Sequence, residues 1–361
     1  MADRRGLATR LQFARGGRLD AVKKIGAGLA GLFLFVLALQ IMKASARGLA
    51  GLVDGIGVDS PWSALGFGWL FAYLVLSGSP VAAVALSFFA SDVIDALETF
   101  TMIAGSRFGA SFVVLLLGFL YMLRGRSRGR SLEMGVLSLL TTYVVYGIAI
   151  PVGAFLLLSG VFDGFRPALP TSIFDLIELV YDPVVAALQR FLPDIVLFAS
   201  GVATIVAAFA LFDKALPDLA EESPIKGLEQ HVYRPAVMFG LGCVITLFTL
   251  SVSVSLGLLV PLSAKGIARR ENVIPYIMGA NITTFVDTLL ATLLLDKPEA
   301  FTVVLVEMLA VAAVSLVILL LFYSRFERTL LALSRRILAT RASLTTFVLV
   351  IFVVPLLLLV L

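Results

Sequence analysis

The sequence predicts an all-α polytopic membrane protein with two inverted-topology repeats, each containing a helical re-entrant hairpin and broken helices. Three observations support this fold class: the apolar composition, the placement of the arginine-rich segments, and a short polar pattern that occurs twice. Hydrophobic residues make up 60% and charged residues 14% of the 361 residues, whereas soluble domains have about 45–50% apolar and about 25% charged residues. Near-continuous apolar runs recur along the chain, which predicts about eight membrane spans plus two hairpins.

The chain divides into five parts. These are a basic cytoplasmic N-terminus (1–24), a first transport repeat (25–123), a linking span with an amphipathic segment (124–193), a second, inverted repeat (194–295) and the C-terminal spans (296–361). The basic N-terminus precedes an apolar run without a clear small-residue cleavage site, so we expect a retained first helix.

The apolar runs place the spans in order. Predicted spans cover residues 25–42, 101–123, 132–162, 194–212, 279–295, 301–323 and 344–361. Pro151 is expected to kink the third of them. Residues 163–193, which contain several prolines and are mildly acidic, are expected to form one amphipathic helix at a membrane surface.

Orientation follows from three basic segments: the N-terminus, residues 124–130 and residues 325–341. Arginine and lysine accumulate in cytoplasmic loops, so an even number of crossings must separate these segments. Residues 61–90 must therefore enter and leave on the same side. They are short for two spans plus a turn, which favours a hairpin that opens to the outside. By the same reasoning, residues 236–263 form a hairpin that opens to the cytoplasm.

An internal repeat appears when the two halves are aligned without gaps at an offset of 174 residues. The identical pairs are Gly66/Gly240, Gly68/Gly242, Leu76/Leu250, Ser77/Ser251, Ser79/Ser253, Ile103/Ile277 and Gly105/Gly279. The same offset carries the first span onto residues 194–212, which should cross the membrane in the opposite direction. Inverted repeats of this kind are typical of secondary transporters, which bind substrate near the midplane where broken helices meet.

The repeated motifs resemble those of the type II sodium-dependent phosphate cotransporters and their bacterial relatives, which carry QSSS followed by GANIGT-like or GSNIGT-like residues. Here LSVS (250–253) and GANITT (279–284) form one copy, and LSGS (76–79) and GSRFGAS (105–111) form the other. Residues 31–51 are also similar to the first helix of that family. The chain departs from the family at Leu76 and Leu250 in place of glutamine, and at Arg107 in place of asparagine.

The resemblance implies sodium-coupled phosphate symport by alternating access. It directs attention to a set of candidate substrate- and ion-binding residues: Ser77, Gly78, Ser79, Arg107, Ser111, Thr249, Ser251, Val252, Ser253, Asn281, Thr283, Thr284 and Asp287. Sodium, the candidate coupling ion, would lie at Ser251, Ser253, Asn281 and Thr284. Small polar residues also let membrane helices pack closely, and Asn281 and Thr284 can cap a broken helix, so each has a structural alternative.

Two charged residues at membrane depth have competing interpretations. Arg107 can bind an oxyanion bidentately or stand in the place of a sodium ion. It can also snorkel at the start of its span or pair structurally with a carboxylate. Asp287 can be a cation ligand, a proton carrier or the partner of Arg107. Glu307 is predicted to be interfacial, near the outer end of its span.

Transport of a small inorganic anion, phosphate by resemblance, is therefore the expected function. Transport of another solute, proton coupling, and a non-transporting membrane scaffold are the alternatives. Absence of HExxH and GxSxG motifs, with one His (His231) and one Cys (Cys243), predicts neither an enzyme nor a metal cofactor. The expected partners are the lipid bilayer and the anion, not nucleic acid. The expected location is the prokaryotic cell membrane, with several passes and a cytoplasmic N-terminus. The oligomeric state is open, with a homodimer among the alternatives.

Overall fold

The structure, a computed structural model, describes residues 3–123, 130–167, 169–215, 234–257 and 270–361, and the regular secondary structure of these residues is helical. The helices are α1 Asp3–Ala46, α2 Ala50–Gly55, α3 Pro61–Val75, α4 Ser79–Ala90, α5 Ala96–Leu123, α6 Arg130–Leu158, α7 Thr171–Phe191, α8 Asp194–Ala215, α9 Pro235–Thr249, α10 Val252–Gly257, α11 Arg270–Thr283, α12 Phe285–Leu293, α13 Glu299–Val317, α14 Tyr323–Ala339 and α15 Arg341–Leu358. The predicted basic connection after residue 123 and the far end of the second predicted hairpin, beyond residue 257, lie outside the described residues.

Seven candidate membrane spans occur among the described residues. They are Val22–Gly55, Ala96–Leu123, Ser131–Leu158, Asp194–Ala215, Arg270–Leu293, Glu299–Ala339 and Arg341–Leu358. Each is long and apolar enough to cross a bilayer. The described part of the chain is thus all-helical, and its seven candidate spans are those of a multi-pass membrane protein, as the composition predicts. The segment expected to be amphipathic does form a helix, α7, which packs on α1 through Ile177, Tyr181 and Val185.

Helices α3, α4 and α9 are apolar but short. They contain 15, 12 and 15 residues, so they extend about 18–22 Å against a hydrocarbon core of about 30 Å. A capping box between Ser60 and Ser63 starts α3. Leu76 ends α3 with φ 55° and ψ 28°, and Leu250 ends α9 with φ 49° and ψ 21°. Leucine rarely adopts this left-handed conformation, so both breaks are defined features of the backbone.

Glycines let two helix pairs approach to backbone contact. A Cβ atom on Gly68 of α3 would overlap the Met102 carbonyl oxygen of α5, and one on Gly242 of α9 would overlap the Tyr276 carbonyl oxygen of α11. Glycines of α5 and α11 make the corresponding contacts in the opposite direction, with the backbones of α3 and α9. Gly105 of α5 touches the carbonyl of Leu65, and Gly279 of α11 touches that of Phe239. Any larger residue at these glycines would push the helices apart.

The long helices α1 and α8 lie side by side and antiparallel. Gly48 near the end of α1 meets Asp194 at the start of α8, whereas Gly31 meets Phe212 near the end of α8. Between these points the rings of Phe35 and Phe209 are 5.7 Å apart and perpendicular. The pair therefore runs the length of the bundle in opposite directions.

The C-terminal helix α15 braces the short helix α3. The Tyr73 hydroxyl donates a hydrogen bond of 2.9 Å to the Ile351 carbonyl, and Trp69 donates one of 2.7 Å to the Tyr73 oxygen. Gly66 lies against the Pro355 carbonyl. The support from α15 holds α3 in place although α3 is too short to span the bilayer.

Charged side chains tie two connections together at one end of the bundle. Lys297, between α12 and α13, donates a hydrogen bond to Asp92, between α4 and α5, and Arg47 lies 3.8 Å from the same carboxylate. The hydrogen bond and charge of Lys297 hold the pKa of the Asp92 carboxyl below its ordinary value. Asp92 is exposed. The tie joins the end of α4 to the start of α13.

Candidate functional site

Arg107 is the centre of a buried polar cluster. It lies midway along α5 and is 3% exposed. Its Nη1 donates to Thr284 Oγ1 at 3.3 Å and its Nη2 to Thr288 Oγ1 at 2.7 Å. The guanidinium carbon is 4.8 Å from the ring centroid of Phe285, a cation–π arrangement. Arg107 therefore does not snorkel towards water. It faces the junction of α11 and α12.

Thr288 connects this guanidinium to a carboxylate. The Thr288 hydroxyl accepts from Arg107 and donates a hydrogen bond of 2.8 Å to Asp287 Oδ1. Asp287 is 4% exposed. None of the ion pairs among the described residues includes Arg107 or Asp287, so the two charges are joined through one hydroxyl and not directly. This arrangement leaves the guanidinium without a carboxylate in contact.

The break between α3 and α4 lies against the same cluster. A Cβ atom on Gly78 would be 3.1 Å from the Ser106 carbonyl oxygen and 3.3 Å from Arg107 Nη1. Ser79, the first residue of α4, is buried, and its hydroxyl lies beside the Asp287 carboxylate. The N-terminus of α4, which carries partial positive charge, thus adjoins the arginine. The predicted residues Gly78, Ser79, Arg107, Thr284 and Asp287 come together here.

Glu307 is a second carboxylate of the cluster, and its predicted interfacial position is wrong. It is 1% exposed and interacts electrostatically with Arg107 and with Tyr146. The sequence contains a signal for this: Glu307 stands eight residues after Glu299 inside an otherwise apolar run. A lone acid at that depth, about 12 Å along the helix, favours the protein interior over lipid.

Four buried polar atoms of the cluster make no hydrogen bond to the residues that the structure describes. They are Arg107 Nε, Asp287 Oδ2, and both Oε atoms of Glu307. Buried polar atoms without partners are uncommon, and each calls for an explanation such as an ion or ligand. The described charges are one guanidinium and two carboxylates, so the cluster with all three ionised would carry a net charge of −1. Its unused donor and acceptors suit an anion and a balancing cation.

Tyr146 and Asn281 extend the cluster towards α6. The Tyr146 hydroxyl donates to the Asn281 carbonyl at 3.3 Å, and the Asn281 amide donates to Thr142 Oγ1 at 3.1 Å. The ring of Tyr146 packs 6.3 Å from Phe285, centroid to centroid. Asn281 therefore links α11 to α6 near the cluster, with its amide nitrogen already in use.

Other predicted site residues use their hydroxyls on the backbone. Ser111 donates to Phe108 at 2.7 Å, and Thr283 to Cys243 at 2.8 Å. Thr249 donates to Ser251 at 3.2 Å across the break after α9. These contacts fit the structural alternative, in which small polar residues join and cap helices.

The remaining predicted residues lie at the two breaks. Ser77 and Ser251 are half-buried, and Val252 is buried at the start of α10. Ser253 lies in α10, and its side chain is outside the described residues. The predicted sodium site at Ser251, Ser253, Asn281 and Thr284 stays a prediction.

A cavity of about 270 Å³ reaches Asp287 from another side. Leu32 and Phe35 of α1, Phe209 and Phe212 of α8, and Leu250 form part of its wall. Asp287 is the one polar residue among the described residues that line it. The side chains of these residues offer an anion no hydrogen-bond donor. The donors gathered at Arg107 are therefore the candidate anion site.

Comparisons of the chain with protein-family models, with curated proteins and with solved structures find no match. Function is therefore argued from the residues of the cluster and from the arrangement of the helices around it.

Proposed function

We propose that the protein is a secondary active transporter of a small inorganic anion, and that phosphate is the anion. The observation that carries this proposal is the buried guanidinium of Arg107, which no described carboxylate contacts directly and whose Nε has no partner. A charged side chain at membrane depth is costly, and such residues usually mark a substrate or ion path. A planar guanidinium also matches a tetrahedral oxyanion with two parallel hydrogen bonds.

The neighbours of Arg107 supply further donors of the right kind. The hydroxyl of Thr284 and the N-terminus of α4 adjoin it, and the hydroxyl of Ser79 lies beside the neighbouring Asp287 carboxylate. An oxyanion that leaves water must exchange its hydration shell for such groups. Thr284 Oγ1 accepts from Arg107, and its hydroxyl hydrogen can turn towards the anion, because a hydroxyl rotates to suit its partner.

We also propose the two inverted repeats and re-entrant hairpins on which alternating access would depend. The left-handed residues Leu76 and Leu250 are 174 positions apart in the chain. The glycine contacts of α3 with α5 recur between α9 and α11 at the same offset. The antiparallel packing of α1 and α8 supports opposite orientations of the halves. Helices too short to span, broken near a buried polar cluster, support hairpins that meet at a midplane site.

Coupling to a cation is part of the proposal, because an anion that enters the cluster adds negative charge to two carboxylates. The resemblance of the motifs favours sodium. The unpartnered carboxylate oxygens of Asp287 and Glu307 offer a second candidate, the proton. A structural core without transport is the competing interpretation, and it is favoured by the two hydrogen bonds that Arg107 already makes to threonines.

Uptake of radiolabelled phosphate into proteoliposomes tests the proposal, under a sodium gradient, under a pH gradient and under neither. We expect gradient-driven uptake by the wild type. Arg107→Gln should lower uptake at limiting phosphate by at least about 100-fold, since two charge-assisted hydrogen bonds contribute about 1.5–3 kcal/mol each and about 1.4 kcal/mol corresponds to a factor of ten. Arg107→Lys keeps the charge and should retain part of the activity.

Arg190→Gln is the control, because Arg190 is an exposed cation on α7, and it should leave uptake unchanged. Thermal unfolding of each purified variant in detergent checks that it is folded. Wild-type uptake by a folded Arg107→Gln variant would contradict the proposal. Failure of the folded wild type to move phosphate under any of the three conditions would contradict it as well.

A further inference from the structure

Glu307 has an environment that disfavours an ionised carboxylate. It lies on the buried face of α13, it is 1% exposed, and neither of its carboxylate oxygens makes a hydrogen bond. Burial of a charge is costly unless hydrogen bonds and a close counter-ion compensate it. A proton on one carboxylate oxygen removes the charge, and with it most of that cost.

The groups that face Glu307 are few. Helices α4, α5, α6, α11 and α12 pack against α13. Arg107 of α5 and Tyr146 of α6 interact with Glu307 electrostatically. Asp287 of α12 adds a like charge near the same arginine. Helix α4 has no titratable residue, and the buried tyrosine of α11, Tyr276, hydrogen-bonds to Ser255. A further tyrosine of α6, Tyr143, packs on Trp69 instead.

We propose that Glu307 is the proton-binding site of the transporter and that one proton moves with each anion, in place of sodium. This inference rests on the proposed function. Binding adds a proton to the carboxylate and makes Glu307 neutral. Release returns the proton to water on the side where the cluster opens and leaves an ionised carboxylate near Arg107.

Competition for Arg107 couples the two ligands. An anion on the guanidinium takes up its positive charge, so Glu307 keeps its proton while the anion is bound. When the anion leaves, the positive charge of Arg107 is free to stabilise ionised Glu307, and the proton leaves too. Coupling of this kind is reciprocal: protonation of Glu307 must raise the affinity for the anion by the same factor by which the anion favours protonation.

A sodium-free experiment separates this inference from its alternatives. Proteoliposomes receive an inward proton gradient with sodium absent on both sides, and phosphate accumulation is measured. Phosphate exchange across liposomes at equal pH is measured in parallel. We expect accumulation by the wild type. Glu307→Gln, which is neutral at every pH, should lose phosphate accumulation but retain phosphate exchange. Wild-type exchange should depend on pH more strongly than the titration of phosphate itself explains. Exchange by Glu307→Gln should lack this additional pH dependence.

Glu299→Gln is the matched control on the same helix, since Glu299 is exposed and paired with Arg166. It should behave as the wild type. Accumulation by Glu307→Gln under the proton gradient would overturn the inference, as would wild-type accumulation that needs sodium and ignores the pH gradient. Absence of Arg107-dependent exchange in the wild type would instead overturn the proposed function, and the symport role with it.

Infrared spectroscopy provides a readout independent of transport. The C=O stretching band of a protonated carboxyl group lies at a higher frequency than the bands of a carboxylate or an amide. We expect this band at neutral pH with saturating phosphate in the wild type and in Glu299→Gln, and its loss in Glu307→Gln. A wild type whose spectrum lacks the Glu307 band would overturn the inference, whatever the transport assay shows.

Discussion

At the scale of the residue, the cluster depends on one small side chain. Thr288 accepts a hydrogen bond from Arg107 and donates one to Asp287. It therefore orients a cation and an anion without letting them touch. In a direct ion pair, the carboxylate would occupy the donors of the guanidinium. With a hydroxyl between the charges, the Nε of Arg107 stays available to another ligand. Thr288 thus provides the guanidinium with a hydrogen-bond partner and leaves its Nε able to bind a ligand.

Thr288→Val tests this role, because valine has nearly the same shape and no hydroxyl. Both hydrogen bonds of the hydroxyl are lost, including the one to Asp287 Oδ1. We expect a loss of about 1–3 kcal/mol of unfolding free energy, the usual cost of a buried polar group left unpaired. Thermal unfolding in detergent measures it. Thr288→Ser keeps the hydroxyl and is the control. Equal stability of the valine and serine variants would contradict a bridging role.

The sequence predicts some residues of this cluster and misses others, for physical reasons. Arg107 and Asp287 are predictable, since a lone charge in an apolar run must face a protein interior or a water-filled site. Glu307 meets the same criterion, but its helix is apolar on every side, so no polar stripe indicates which face is buried. Its position near the outer end of the span therefore led to the prediction of an interfacial location. Contact with Thr288 depends on where α12 begins, which the sequence does not show.

At the scale of the element, glycine decides how α9 packs on α11. Gly242 touches the backbone of Tyr276, whereas Gly240, two residues earlier in α9, has open space around its Cα. The same helix thus contains one glycine that packing requires and one that it does not. Gly68 of α3 has the equivalent contact with Met102 of α5.

Gly242→Ala should therefore destabilise the protein, since the new methyl group would force two backbones apart. We expect a cost of about 1–3 kcal/mol, as for other overpacked positions. Gly240→Ala is the matched control and should be neutral or stabilising by up to about 1 kcal/mol, because alanine favours the helix. Comparison of the thermal unfolding midpoints of the two variants tests this prediction. Equal midpoints would show that the contact does not limit packing.

The ends of α3 and α9 show which features of the helices the sequence predicts and which it does not. The recurring LSxS pattern marks both breaks, and the structure places a left-handed leucine at the start of each. The backbone conformation was not predictable, because leucine disfavours it and glycine or asparagine would be expected there. Tertiary contacts, such as those of α3 with α5 and α15, override the local preference.

At the scale of the whole molecule, the order of spans and the basic segments predict which ends face the cytoplasm. The connection after α6 should lie outside, and the basic helix α14 should lie inside. Each of these two regions contains an exposed residue that can be labelled: Gly164 in the connection after α6, and Arg336 in α14.

Single cysteines introduced at these positions test the orientation, in a chain whose Cys243 is replaced by serine. A membrane-impermeant maleimide should label Gly164→Cys in intact cells, and Arg336→Cys only after permeabilisation. Ser87→Cys is the buried control and should stay unlabelled in both conditions. Labelling of Arg336→Cys from outside intact cells would reverse the proposed orientation.

Burial of Arg107 also has a consequence for the order of synthesis. The ribosome makes Arg107 177 residues before Thr284 and 181 residues before Thr288. During that interval α5 must hold a cation in the bilayer, which opposes insertion by about 2.5–3.5 kcal/mol, and its long apolar runs must offset this cost. The described hydrogen-bond partners and the carboxylates near the arginine all come from the second half of the chain. Neither half can complete its interior alone, so the two halves mature as one cooperative folding unit.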